Sequence, residues 1–308
     1  MKALIFPGQG SQKTGMLSEF QTNFKIVKNV LERVDEALKF SLSKIILNGT
    51  DDDLKKTEIT QPAILTTSFS IFSILKQEFN FDLSKVKFIA GHSLGEYSAL
   101  VAAGSLSLEE GVALVHERGK LMQAAVPQGK GAMLAVMGVN INELNLLLKK
   151  FDKKKGVCEI ANDNSLGQII LSGAKETLED FSNILKIEKK RAVFLPVSAP
   201  FHCSLMKPAA ENMKTFLKQV DFQNPNLQLI SNVTALPVEK TEDLRDLLYN
   251  QIFSQVRWRE SMEYMVKNGI DDFIEIGPGK VLSGLVKRIN NKVLSRSITK
   301  IDDIKNLQ

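Results

Sequence analysis

The sequence predicts an α/β fold on a mostly parallel sheet, with a smaller βαββαβ unit inserted into it. Three observations predict this. Short apolar runs bounded by Gly and Pro alternate with longer stretches of helical period, the rhythm of a parallel sheet covered on both faces. The rhythm breaks at Pro127-Gln128-Gly129-Lys130-Gly131 and resumes beyond Pro196 and Pro200. Between those breaks the strands and helices are short and follow a different order. With 308 residues, one large domain plus an insert is expected, divided as 1–126 with 197–308 for the large part and 127–196 for the insert.

Taken in order, Ala3–Phe6 is a buried strand ending at the turn Pro7-Gly8-Gln9-Gly10. Residues 19–38 are amphipathic and are expected as one helix. Pro62 suits the first turn of the next helix, which carries Ile64, Leu65, Phe69, Phe72 and Leu75 at helical spacing. Val86–Ala90 is a second buried strand, followed by the tight turn Gly91–Gly95 and a small-residue helix over Glu96–Ala103. Ser107 with Glu110 forms a capping box opening a helix to about Ala124. In the insert, Ala132–Met137, Val157–Ala161, Gln168–Ser172 and Ala192–Leu195 read as strands. Ile141–Lys150, capped by Asn140, and Lys175–Leu185 read as helices. The tail returns to the first rhythm: helix Met206–Gln219, strand Leu227–Ser231, helices near Leu244–Phe253 and Ser261–Lys267, strand Asp272–Ile276, then a helix from about Lys280.

Composition narrows the function. The apolar share of 44% and charged share of 24% are ordinary for a globular protein. The net charge of +5 is mild, and the clusters Lys153-Lys154-Lys155 and Lys189-Lys190-Arg191 carry no interleaved aromatics, which disfavours nucleic-acid binding. A solvated basic surface is the plainer reading, with docking of an acidic partner the alternative. Cys158 and Cys203 have neither CxxC nor metal spacing, so no metal site is expected and a reducing, cytoplasmic setting is. The apolar run after Met1-Lys2 is too short for a secretory signal. No stretch reaches the ~18 apolar residues of a membrane span.

Gly91-His92-Ser93-Leu94-Gly95 fits G-x-S-x-G between a strand and a helix, the context in which a serine is lifted out of the backbone as a nucleophile. That context makes the large domain α/β-hydrolase-like. The helix N-terminus and the Leu94 N–H are then placed to receive a developing oxyanion. A serine needs a base, and the chain has three histidines. His92 adjoins Ser93, and neighbouring side chains diverge in such a turn, which leaves His92 a place in the pocket wall. His116 lies on a helix beside Val112 and Gly119 and reads as packing. His202, in the loop Ser198-Ala199-Pro200-Phe201-His202-Cys203, is the expected base. Cys203 reads as packing. No acid stands at an obvious strand end between Ser93 and His202, and a neutral group can orient the imidazole equally well. Arg118 could clamp a carboxylate, although alone it is as readily a surface residue.

Three separated segments, Phe6-Pro7-Gly8-Gln9-Gly10-Ser11-Gln12, Gly91-His92-Ser93-Leu94-Gly95-Glu96-Tyr97 and Phe273-Ile274-Glu275-Ile276-Gly277-Pro278-Gly279, resemble the malonyl-CoA:acyl-carrier-protein transacylases. The resemblance covers essentially the whole chain, including the ferredoxin-like insert. It implies that Ser93 takes the malonyl group from malonyl-CoA and passes it to the phosphopantetheine thiol of an acidic acyl carrier protein. It implies His202 as base, Arg118 as clamp on the malonyl carboxylate, and the backbone N–H groups of Gln9 and Leu94 as oxyanion hole. The backbone carbonyl of Gln251 then orients His202, Asn162 and Asn164 face the cleft, and Phe201 resists an α-methyl branch. A monomer with no cofactor beyond its substrates is expected. A serine esterase or thioesterase is the enzymatic alternative, a non-catalytic carrier-binding subunit another, and supply to polyketide rather than fatty-acid synthesis remains open.

Overall fold

The first strand is the centre of the larger sheet because all four of its apolar residues are fully buried. β1 (Lys2–Phe6) leads to α1 (Ser18–Asn23), α2 (Lys25–Leu38), α3 (Leu42–Asn48), α4 (Asp51–Lys55) and α5 (Thr57–Gln77). β2 (Val86–Gly91), α6 (Gly95–Ala102) and α7 (Leu108–Ala124) follow. The middle of the chain is β3 (Gly131–Met137), α8 (Ile141–Lys150), β4 (Cys158–Ser165), β5 (Gln168–Ala174), α9 (Lys175–Ile187) and β6 (Arg191–Phe194). The last part is α10 (Lys207–Lys218), β7 (Gln228–Ile230), α11 (Asp243–Gln251), α12 (Trp258–Lys267), β8 (Asp272–Ile276), α13 (Val281–Ile289), β9 (Leu294–Ile298) and α14 (Ile301–Lys305). This computed structural model describes residues 1–151 and 156–307, so the expected Lys153-Lys154-Lys155 cluster lies outside the described residues.

The larger sheet has the order β7-β2-β1-β8-β9, and every neighbouring pair is parallel. Parallel register explains why distant motifs meet. Phe6 pairs with Gly91 and Ile5 with Glu275, so the turns after β1, β2 and β8 open side by side at the carboxyl ends of the strands. The second sheet has the order β4-β5-β3-β6, antiparallel throughout, and its βαββαβ connections are those of the split βαβ arrangement. It has its own apolar core of Leu134, Val136, Leu144, Leu171, Leu178 and Phe181. The polar end of β4 ties the two parts together. Asp163 N–H donates to the Val256 carbonyl at 3.0 Å, and the buried Asp163 carboxylate accepts from Arg259 at 2.8 Å.

Several elements differ from expectation. The helix expected over 19–38 is two, because Phe24 is extended with φ −127° and ψ 118°. Pro62 lies inside α5 instead of in its first turn. The short α4, capped by Thr50 and Asp53, runs almost directly into Thr57, so α5 starts earlier. Pro62 has no N–H to give to the Glu58 carbonyl one turn back. His116 Nδ1 donates to that carbonyl at 2.8 Å, which gives this histidine a structural job. β4 extends past Ala161 to Ser165 through a polar run, while α3, β9 and α14 were not anticipated at all.

Candidate active site

The turn after β2 can only be made with its two glycines. A Cβ on Gly91 would lie 1.8 Å from the Gly95 carbonyl oxygen, and one on Gly95 would lie 2.2 Å from that of Phe6. Ser93 between them is left-handed, with φ 54°, which lifts its hydroxyl out of the chain. Asn232, two residues beyond β7, pins the bend. Its Oδ1 accepts from Ser93 N–H and its Nδ2 donates to the Gly91 carbonyl, both at 2.7 Å.

His202 reaches the hydroxyl from the second half of the chain. Its Nε2 is 2.7 Å from Ser93 Oγ and its Nδ1 is 2.8 Å from the Gln251 carbonyl oxygen. A carbonyl can only accept, so Nδ1 carries the ring proton and Nε2 presents its lone pair to the serine. The loop carrying His202 is fixed just beyond it, where Ser204 N–H and Oγ donate to Glu159 of β4, each at 2.7 Å. Burial first, then the Arg118 cation, pushes the His202 pKa down to about 3, from an ordinary 6.5. The imidazole is therefore a neutral base at pH 7. In an NMR titration its ring resonances should hold their neutral positions from pH 8 down to about 5; a midpoint near the ordinary value would contradict the burial. The sign for stability follows. Between about 3 and 6.5 the unfolded chain binds this proton and the folded one does not, so stability falls as pH falls through that window.

Arg118 is a buried residue, not a surface one. Its NH1 donates to Gln61 Oε1 at 2.8 Å, and its NH2 donates to Gln251 Oε1 at 2.9 Å and to Ser93 Oγ at 3.1 Å. Those partners are neutral oxygens, so a cation is held against the nucleophile without a carboxylate on it. Gln251 Nε2 donates to the Ser93 carbonyl at 2.9 Å and to Glu96 at 2.6 Å. Burial raises the Glu96 pKa to about 7, against the pull of Gln251, Asn232 and Arg118.

A cleft of about 800 Å³ runs between the two sheets over Ser93. All the anticipated side chains except Gln251 line it, among them Gln9, Leu94 and Phe201 with Asn162 from the insert. Gln251 is buried behind the cleft wall and acts on it through Arg118, Ser93 and His202. Among the described residues the N–H groups of Gln9 and Leu94 meet no protein acceptor, as an oxyanion site requires. His92 turns away from its neighbour: its Nε2 is 2.8 Å from Asn164 Oδ1 and its ring packs on Trp258. Asn162 joins the two parts by bridging to Val256. Sequence reasoning missed Gln61, Glu96 and Asn232. Glu96 stood in the 91–97 segment without a role of its own, and only weak signals marked the other two: a Gln before Pro62 in an apolar helix, and an Asn just past the end of a parallel strand.

The acyl transferase domain family matches residues 3–301 of this chain. The chain belongs to that family. Among relatives, this acyl transferase is 41% identical over 298 residues to the malonyl CoA-acyl carrier protein transacylase of Bacillus subtilis, a match covering 96% of this chain and 93% of the relative. The solved acyl-carrier-protein-S-malonyltransferase from Bartonella henselae superposes with a TM-score of 0.96 at 41% identity, covering 99% of this chain and 98% of that one. A malonyl-transacylase solved in complex with a type II PKS acyl-carrier protein superposes with a TM-score of 0.95 at 37% identity, covering 99% and 98%.

Proposed function

We propose that this acyl transferase moves a malonyl group from malonyl-CoA to the phosphopantetheine thiol of an acyl carrier protein, by way of an ester on Ser93. The observation that carries the reading is the Arg118 guanidinium held 3.1 Å from Ser93 Oγ by neutral partners. In a malonyl thioester the carboxylate lies two bonds from the reacting carbonyl carbon. An arginine this close to the nucleophile suits an acyl group of that length, and a longer diacid would overshoot it.

The steps follow from the hydrogen bonds. Ser93 gives its proton to His202 Nε2 as Oγ attacks the thioester carbon. The N–H groups of Gln9 and Leu94 receive the oxyanion. The C–S bond breaks, the proton passes from His202 to the departing sulfur, and CoA leaves. The carrier thiol then gives its proton to His202, its sulfur attacks the ester carbon, and Ser93 recovers the proton as its C–O bond breaks. Thioester, ester and thioester are close in energy, so the protein's task is to position the thiol and keep water out. This chemistry asks for no resident metal or redox group, and among the described residues no cluster of three or more His, Cys, Asp or Glu could hold a metal. Among the described residues no helix is long and apolar enough to cross a membrane.

The same reading takes the large part, 1–126 with 197–308, as an α/β-hydrolase-like catalytic domain and 127–196 as its ferredoxin-like wall. It places a monomer in the cytoplasm, serving fatty-acid synthesis. Intact-mass measurement after exposure to malonyl-CoA is the test. A malonyl adduct on Ser93 that persists in water and is discharged by holo-carrier supports transfer, whereas rapid release of free malonate makes the protein a thioesterase.

A further inference from the structure

Arg118 and Glu96 are buried charges of opposite sign, and Gln251 stands between them. The Gln251 amide accepts from Arg118 through Oε1 at 2.9 Å and donates to Glu96 through Nε2 at 2.6 Å. Reversing the amide would set NH2 against the guanidinium and oxygen against the carboxylate. Glu96 and the Ser93 carbonyl, both accepting from Nε2, thus fix which end of Gln251 faces the cation. The rest of the catalytic geometry hangs from the same carboxylate. Gln251 Nε2 holds the Ser93 carbonyl and the Gln251 backbone carbonyl holds His202. Asn232 N–H lies 3.4 Å from both Glu96 oxygens, and its side chain holds the Ser93 bend.

We propose that Glu96 is a positioning residue that sets how strongly the site prefers carboxylated over uncharged acyl groups, by balancing Arg118 through the Gln251 amide. The proposal rests on the reading that Arg118 grips the malonyl carboxylate. When that carboxylate enters, two anions share one cation, and each weakens the other's hold by the same factor. An ionised Glu96 keeps Arg118 in place for the substrate and also limits how tightly the substrate is held. An acetyl group brings no second anion and does not feel this coupling.

The ionisable groups acting on Glu96 are Arg118 from α7 and Tyr97 beside it on α6. Neutral Gln251 from α11, with Asn232 and Ser231 after β7, completes its surroundings. With burial lifting its pKa to about 7, Glu96 changes charge within the working range. The grip on malonyl should therefore loosen as pH rises through that value.

The experiment measures KM of the loading half-reaction for malonyl-CoA and acetyl-CoA from pH 6 to about 8.5, in the unsubstituted protein, Glu96→Gln and Glu96→Asp. The expected malonyl-to-acetyl KM ratio rises across neutrality in the unsubstituted protein and in Glu96→Asp. In Glu96→Gln it is flat and is lower by roughly 3- to 10-fold at the alkaline end. Equal shifts for both donors, or a rise that survives in Glu96→Gln, overturn the proposal, because a purely structural carboxylate would act on both alike. Should Glu96→Gln not fold, a pH-independent ratio in the unsubstituted protein overturns it and a rising one supports it. A protein that never acquires a malonyl ester on Ser93 defeats the functional reading instead.

Discussion

Ser93→Ala should give a folded protein that acquires no acyl adduct from malonyl-CoA and transfers malonyl about 10⁴-fold more slowly or worse. The hydroxyl is the group from which His202 takes a proton and the atom to which the acyl bond forms, and among the described residues no other hydroxyl is placed against Nε2. The variant leaves the bend intact, because Asn232 binds backbone atoms of Ser93 and Gly91 and not the side chain. What it removes is one partner each from the buried His202 and Arg118, a cost of about 1–3 kcal/mol in stability. Intact mass after exposure to donor, with a carrier-loading assay beside it, checks the prediction. Transfer at the original rate would move the chemistry to another residue.

Arg118→Ala should separate the two acyl donors. Losing a buried, hydrogen-bonded charge opposite a carboxylate costs about 2–5 kcal/mol, which is roughly 30- to several-thousand-fold in malonyl transfer. Acetyl transfer should fall far less, because the acetyl group has no carboxylate to lose. Some loss is expected even there, since Gln61 and Gln251 forfeit their donor and Gln251 holds both the Ser93 and His202 neighbourhoods. Arg118→Lys should not restore malonyl transfer fully. A single ammonium cannot reproduce the planar fork that reaches Gln61 with one nitrogen, and Gln251 and Ser93 with the other. Steady-state kinetics with both donors decides it, and equal losses would count against the clamp.

The parts of this site that sequence reveals are those whose physical requirement is local. Gly91, Ser93 and Gly95 are demanded by a turn that folds on itself within five residues, so pattern and neighbours suffice to find them. His202 is found by elimination among three histidines. The chain from Glu96 through Gln251 to Arg118 was invisible because it joins α6, α11 and α7, and no spacing along the chain encodes that meeting. Gln251 was anticipated through its backbone carbonyl, and the structure adds a second task for its side chain. The same contrast holds for the fold. Buried strands such as β1 declare themselves by continuous apolar runs. β9 does not, because Leu294 is exposed and the next three residues are only partly covered at the sheet edge. Pro62 misled because its local preference for a helix start yields to packing: α7 crosses so close to the start of α5 that a Cβ on Gly119 would lie 2.7 Å from the Thr57 carbonyl oxygen.

Ser93 and His202 share one more property, a left-handed backbone, with φ 54° and 59°. For residues other than glycine that conformation costs about 1 kcal/mol or more at each position. A lineage that kept this molecule only for its shape would gain by drifting to glycine at both places. Two working side chains kept in such uncomfortable seats are therefore a record of use, and they offer a way to tell a living copy of this protein from a decayed one by reading two letters.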